Sequence, residues 1–346
     1  MCKEEDRQMS QESKDLAAKA QKFSGKQVGN LLMNNMLIII MVVAAIGIAI
    51  YRPGFVSASS IVNILNLTAA YLPAALGIAG CIVLTGTDLS AGRCVGLTAC
   101  VSASLLQSVE ASNKMWPNIG TLPVWLVIII AMLIGACVGA FNGFFVGKFK
   151  LHPFIVTLGT QLILYTLLLL YVQMGNNGGG TIGSLDASYT DFVRAPLFSI
   201  PAANGASIPI PRYVLYSIIL AAIMWFIWNK TTFGKNMFAL GSNEEAARVS
   251  GVNVLLTTIM VFALAGAMYG WTGFIEGARV AANNANTGLN YELDAIAACV
   301  IGVIMLRLIF VGLTFTGVDT NYQYLIKGGI ILFACALDMR KYLVKK

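Results

Sequence analysis

The sequence predicts an all-α protein, a polytopic bundle of about ten transmembrane helices with broken or re-entrant segments. Hydrophobic residues make up 57% of the 346 residues and charged residues only 11%, whereas charged residues make up about a quarter of a soluble globular domain. The mean hydropathy is +0.75. Apolar runs of about 20 residues, the length that crosses a bilayer as a helix, recur along the chain. These observations exclude a soluble globular protein.

Seven apolar runs are each predicted to cross the membrane once. They cover residues 31–50, 61–84, 89–106, 123–147, 153–172, 213–228 and 254–275, and a last run covers 322–337. The apolar region 293–317 has room for only one full crossing. Two short tilted or re-entrant pieces, broken near Arg307, restore an even number of crossings.

Three parts of the chain are predicted on this basis. Residues 1–30 form an N-terminal tail that is partly amphipathic or disordered, because they are polar and mixed in charge. Residues 31–338 form the transmembrane domain. Residues 339–346 form a basic C-terminal tail.

Lys and Arg collect in the N-terminal tail, near residues 148–150, in the 230–248 loop and at the C-terminus. Cytoplasmic loops carry an excess of these residues, so both termini are expected in the cytoplasm. Segments 110–122, 173–212 and 276–292 are expected outside. The formal net charge of +7 therefore reports topology and attraction to membrane lipid, and no nucleic-acid partner is expected.

The sequence carries no arrangement typical of an enzyme. Its seven cysteines form no Cys-x-x-Cys pair and its single histidine is His152, so we expect no metal site and no catalytic residue. It also lacks a phosphate-cradling glycine loop. The chain is expected to bind no cofactor and to catalyse no reaction.

Polar residues interrupt the membrane region at 84–93, where Asp88 or Ser90 is available to cap the following helix. Broken helices at membrane depth occur where they line protein or water, so the break indicates a pathway. An ordinary interfacial turn is the alternative. The predicted pathway residues are Asp88, Ser90, Arg93 and Asn142.

Asn142 lies beside glycines at 135, 139 and 143, which are spaced by four along one run. This spacing predicts a groove for a tight helix crossing. The amide-rich external segment 276–294 is predicted either to contact a soluble partner, to cover a pore or to be a plain connector. The Gly-rich segment 173–211 carries the same alternatives.

A short polar helix is predicted at 243–251, between two apolar runs. Asn243 is its expected N-cap and Gly251 its expected end. Its expected partner-contacting residues are Glu244, Glu245, Ala246, Ala247, Arg248 and Gly251. The small alanines allow close approach of another backbone and the charges orient it, although a solvated connector helix is the alternative reading.

Five motifs occur in the chain. They are residues 86–93 (Gly-Thr-Asp-Leu-Ser-Ala-Gly-Arg), 153–160 (Pro-Phe-Ile-Val-Thr-Leu-Gly-Thr), 229–236 (Asn-Lys-Thr-Thr-Phe-Gly-Lys-Asn), 245–253 with its Glu-Ala-Ala and Ser-Gly-Val-Asn pieces, and 291–299 (Tyr-Glu-Leu-Asp-Ala-Ile-Ala-Ala-Cys). From residue 31 onward the sequence resembles the permease subunits of bacterial ABC importers for monosaccharides, of the ribose and galactose type.

The resemblance implies a translocation path in the bacterial inner membrane, built from two permease copies. It implies an ABC ATPase subunit that binds ATP and docks on the 243–251 helix, and a periplasmic sugar-binding protein that delivers a monosaccharide. It also implies that a segment is missing after Gly302, which shortens region 293–317. A non-transporting permease remnant and a stand-alone secondary transporter or channel are the alternatives.

Overall fold

A computed structural model describes residues 36–84, 86–201, 207–319, 321–326, 328–330 and 332. The predicted tails 1–30 and 339–346 lie outside these residues. In chain order the elements are α1 Met36–Tyr51, α2 Ala58–Val83, α3 Ala91–Leu105, α4 Val124–Phe149, α5 Pro153–Gln173, α6 Ala187–Arg194, β1 Pro196–Pro201, β2 Ser207–Pro211, α7 Arg212–Lys230, α8 Thr232–Ser242, α9 Glu244–Val249, α10 Val254–Val280, α11 Tyr291–Ile301 and α12 Val303–Phe315. A 3₁₀ turn, Pro53–Val56, joins α1 to α2.

Five of the described helices are long and apolar enough to cross a membrane: α2, α4, α5, α7 and α10. Most of α1, together with α3 and α12, adds three shorter apolar helices. The predicted class, an all-α polytopic membrane protein, is therefore confirmed. The number of about ten crossings stays a prediction.

Helix α10 is central, because it packs against α4, α3 and α2. Its crossing with α4 is the tightest in the bundle. A side-chain carbon on Gly135 of α4 would collide with the carbonyl of Gly266, and one on Gly139 would collide with the carbonyl of Phe262. The predicted glycine groove of α4 is confirmed, and it brings the two backbones into direct contact.

Region 293–317 forms two helices, α11 and α12, that meet at Gly302. Gly302 has φ 99°, a backbone conformation that glycine adopts readily. The predicted break near Arg307 is wrong, because Arg307 lies inside α12. With 11 and 13 residues, α11 and α12 rise only about 17 and 20 Å, which is short of the roughly 30 Å hydrocarbon core.

The segment between α5 and α7 has more structure than its Gly-rich composition indicates. After turns at 174–180, Asp186 caps α6 by accepting a hydrogen bond from the Ser188 amide at 2.9 Å. Strands β1 and β2 then pair antiparallel, with Ile200 opposite Ile208. The Tyr189 hydroxyl donates to the Phe274 carbonyl at 2.5 Å, which fastens α6 to the end of α10.

Candidate coupling and translocation sites

The predicted polar helix is present as α9, six residues long. The side chain of Asn243 accepts a hydrogen bond from the Ala246 amide at 3.0 Å. Gly251, just beyond the helix, has φ 87°. The predicted cap and the predicted stop are therefore both confirmed, and each satisfies a helix end that lacks partners of its own.

An ion pair fixes α9 to the turn between α4 and α5. Glu244 accepts a hydrogen bond from Lys150 in that turn and another from Arg248 at 2.8 Å on its own helix. The hydrogen bond from Lys150, followed by the positive charges of Lys150 and Arg248, holds the pKa of Glu244 below its usual range. An exposed pair adds at most about 1 kcal/mol to stability, so its main effect is to orient α9.

The outward surface of α9 consists of Glu245, Ala246, Arg248 and Val249, and we call this set the outer face of α9. Glu245 is 77% exposed in its side chain and Val249 is 88% exposed. Ala246 is also exposed, whereas Ala247 is buried against the protein. Only one of the two predicted alanines is therefore at the surface, and no sequence pattern indicates Val249.

A cavity of about 340 Å³ lies beneath α9, between the α4–α5 turn, the end of α8 and the start of α10. Lys150, His152, Glu244 and Thr258 are among the residues that line it. His152 caps α5, because its Nδ1 accepts a hydrogen bond from the Phe154 amide at 3.3 Å. The histidine therefore has a structural role at the start of α5.

Three of the four predicted pathway residues lie together in a buried network. Ser90 Oγ donates to Asp88 Oδ1 at 2.6 Å and accepts from Asn142 Nδ2 at 2.9 Å. Asn142 Oδ1 in turn accepts from Thr160 Oγ1 at 2.6 Å. Asp88, Ser90 and Asn142 have no solvent exposure, so in the single chain this network joins helices and does not line an open path.

The network anchors the break between α2 and α3 to α4 and α5. A second threonine of α5 contacts the break, because the Thr157 hydroxyl accepts a hydrogen bond from the Leu89 amide at 3.1 Å. A side-chain carbon on Gly86 would lie 2.5 Å from Pro153, the first residue of α5. The break therefore lies near the end of the bundle that carries α9.

Arg93 is separate from this network and forms no ion pair with Asp88 in the part of the chain that the structure describes. Its Nη1 donates to the Ala285 carbonyl at 3.2 Å. Its guanidinium lies 4.4 Å from the centroid of the Tyr165 ring. Arg93 thus joins α3 to α5 and to the segment before α11.

Two ion pairs, one part-buried and one buried, have no counterpart among the predicted site residues. Arg279 donates twice to Glu276, with both distances 2.6 Å. Their i,i+3 spacing at the end of an apolar run was a usable signal. The other pair is Arg307 with Asp294, 3.3 Å apart, and no local pattern indicates it because the two residues lie on different helices.

Residues 60–335 match the family model described as "Branched-chain amino acid transport system / permease component". The chain belongs to this permease family. It is 43% identical to the galactose/methyl galactoside import permease protein of Salmonella typhimurium over 326 residues, covering 89% of this chain and 94% of the relative. The protein of that name from Escherichia coli K12 gives the same identity and coverage. No solved structure matches the chain.

The permease is also 30% identical to the ribose import permease protein of Escherichia coli K12, over 90% of this chain and 95% of that relative. These relatives are transport proteins and not catalysts. Together with the apolar helices, they identify a multi-pass protein of the inner membrane.

The alignment to the Salmonella relative spans 326 positions. It covers 89% of this chain's 346 residues, which is about 308 residues. About 18 aligned positions, close to the roughly 20 residues of one spanning helix, therefore carry no residue of this chain. The segment expected to be missing after Gly302 stays a prediction.

Proposed function

We propose that the permease is the membrane subunit of an ATP-driven importer of galactose and methyl galactosides. The observation that carries the proposal is the 43% identity, over 89% of the chain, to permeases named for that transport. The outer face of α9 supports it, because it presents an exposed valine and an exposed glutamate on a short helix at the end of the bundle.

The ATPase subunit docks on the outer face of α9 and supplies the ATP, which the permease itself does not bind. A periplasmic sugar-binding protein docks on the opposite side, where α6 and the β1–β2 hairpin lie. Two permease copies enclose the path. In this arrangement both termini face the cytoplasm, as the distribution of Lys and Arg predicts.

Movement of α9 reaches the membrane helices through a continuous set of contacts. The Lys150–Glu244 pair joins α9 to the α4–α5 turn. Asn142 of α4 and Thr160 of α5 are bonded to each other and, through Ser90, to Asp88. Closure of the ATPase subunits around ATP would therefore displace α4, α5 and the α2–α3 break as one unit.

A non-transporting remnant is the second candidate, and the length of α11 and α12 favours it. Neither helix is long enough to cross the hydrocarbon core. The part of the bundle near Gly302 therefore lacks two full-length crossings. This candidate retains ATPase docking and lacks sugar uptake. A stand-alone secondary transporter predicts the reverse, uptake without an ATPase.

The test is uptake of radiolabelled methyl galactoside into proteoliposomes that contain the permease, its ATPase subunit and the sugar-binding protein. We expect uptake only when ATP is present on the side of the membrane that carries the ATPase subunit. We expect Glu245→Arg to abolish this uptake. Glu110→Arg, which reverses an exposed charge outside both α6 and α9, is the matched control and should keep uptake. Wild-type uptake without ATP, or normal uptake in Glu245→Arg, would refute the coupling role.

A further inference from the structure

The segment 281–290, between α10 and α11, lies against α3 and not outside the bundle. A side-chain carbon on Gly288 would collide with the Gly92 carbonyl, and one on Gly96 would collide with the Thr287 carbonyl. Arg93 donates to the Ala285 carbonyl at 3.2 Å. The segment is therefore packed backbone to backbone along the first turns of α3.

Contacts with α5 give the depth of this segment in the membrane. The midpoint of the 21-residue helix α5 falls between Gln161 and Tyr165. The Arg93 guanidinium lies 4.4 Å from the Tyr165 ring centroid, and Gln161 Nε2 donates to Glu292 Oε1 at 3.4 Å. Arg93, Glu292 and the segment they hold are thus level with the middle of a spanning helix.

Non-helical backbone at this depth is tolerated only against protein or water, because lipid offers it no hydrogen bonds. Asn286 in the segment is exposed, and Gln161 and Tyr165 are half-buried at the edge of the packed face of α5. No described residue hydrogen-bonds the Tyr165 hydroxyl. This polar surface is therefore suited to water or to a second permease copy and not to lipid.

We propose that Gln161, Tyr165 and Asn286, with the buried Glu292 behind Gln161, form a mid-membrane wall that contacts the hydroxyl groups of the passing monosaccharide. Two amides and a phenol together offer the paired donors and acceptors that sugar hydroxyls need. Arg93 is a positioning residue, because it holds the segment and the Tyr165 ring in place. The wall deepens the proposed function and rests on it, and a second permease copy supplies the opposite side of the path.

The wall is distinct from the buried Asp88–Ser90–Asn142 network, which has no exposure. Among the residues predicted for the path, only Arg93 reaches the wall. The Tyr165 and Gln161 side chains extend the path toward the middle of α5, a region that no sequence motif marked as polar.

Water access is tested by cysteine labelling of the complex in liposomes, in a Cys137→Ser background with the background signal subtracted. Gln161→Cys, Tyr165→Cys and Asn286→Cys are compared with Leu162→Cys, whose side chain is 63% exposed on the lipid-facing side of α5. Position 162 lies on an exposed apolar surface, so a charged methanethiosulfonate should label the wall positions about tenfold faster than position 162 in at least one nucleotide state, because the reactive thiolate needs water. Equal, slow labelling in every state would overturn the wall.

Sugar contact is tested by the uptake of methyl galactoside per ATP hydrolysed. Tyr165→Phe and Gln161→Leu should each lower this ratio about fivefold, the effect of one lost hydrogen bond, while ATPase stimulation by the binding protein stays normal. Thr166→Val on the lipid side of the same helix is the control. An unchanged ratio in both wall variants would overturn the sugar contact.

The two tests separate the wall from the importer function. If the wild-type complex takes up no sugar, the proposed function fails. The rate of cysteine labelling still tests the wall in that case. Fast labelling at positions 161, 165 and 286 supports a water-lined surface, and slow labelling there overturns it.

Discussion

The guanidinium of Arg307 in α12 lies 3.4 Å from the centroid of the Tyr71 ring in α2. Asp294 of α11 pairs with the same guanidinium at 3.3 Å. Tyr71 also stacks on Tyr291, with ring centroids 4.3 Å apart. Helices α11 and α12 are therefore both fastened to α2 through a buried charge, although neither is long enough to cross the bilayer by itself.

Arg307→Met should destabilise the protein strongly, because it leaves the Asp294 carboxylate buried without its cation. Breaking one side of a buried pair costs about 3–5 kcal/mol. The double variant Asp294→Leu with Arg307→Met should lose less than Arg307→Met alone, since no buried charge remains. Thermal unfolding in detergent measures both, and a double variant less stable than the single one would contradict this account.

Gly139→Val should prevent the close crossing of α4 and α10. The new methyl groups would meet the Phe262 carbonyl and the Ala263 backbone, and backbone contacts leave no flexible atom to move aside. A loss of at least about 1–3 kcal/mol is expected from overpacking. Gly159→Val in α5, where no atom lies within 4 Å of the added carbon, is the control. Equal monodisperse yields of the two variants would argue against the crossing.

Thr160→Val tests the buried network without changing side-chain shape. Thr160 donates to Asn142 at 2.6 Å in a buried site, so its loss leaves a buried amide oxygen unsatisfied at a cost of about 1–3 kcal/mol. Thr166→Val removes an exposed hydroxyl that donates only to its own helix and should change stability by less than about 0.5 kcal/mol. Similar unfolding midpoints would show that the network adds no stability.

Helix α6 should lose stability in acid. The hydroxyl and then the amide of Ser188 lower the pKa of Asp186 below its ordinary 3.8. A carboxylate with a lowered folded pKa stabilises fully above its unfolded pKa, and this contribution is lost as pH falls through the folded value. Relative to their intrinsic exchange rates, the α6 amides should therefore exchange faster below pH 3.8 in the wild type. Asp186→Asn keeps an acceptor that does not titrate, so the same acid response in that variant would contradict the assignment.

Local patterns predicted the parts of the structure that depend on neighbouring residues. The spacing of Gly135, Gly139 and Gly143 predicted a tight crossing because it places three small residues on one helix face. Asn243 and Gly251 predicted the ends of α9 because capping involves residues within a few positions of each other. The long helices followed from hydropathy alone.

Features that depend on distant contacts were not predictable in this way. Arg307 meets Tyr71, 236 positions away in the chain, and no periodicity reports such a contact. The charge of Arg307 predicted a break there, whereas the backbone turns at Gly302, where glycine allows φ 99°. The re-entry of segment 281–290 depends on the glycines of α3, which only the folded structure brings alongside it.

Photo-crosslinking in native membranes determines whether α9 is the docking point of the ATPase subunit. A photoreactive benzoyl-phenylalanine is placed at Glu245, at Val249 and, as control, at Asp191 of α6. We expect adducts with the ATPase subunit from 245 and 249 and none from 191. Absence of an ATPase adduct from both α9 positions, or its appearance from 191, would contradict the account.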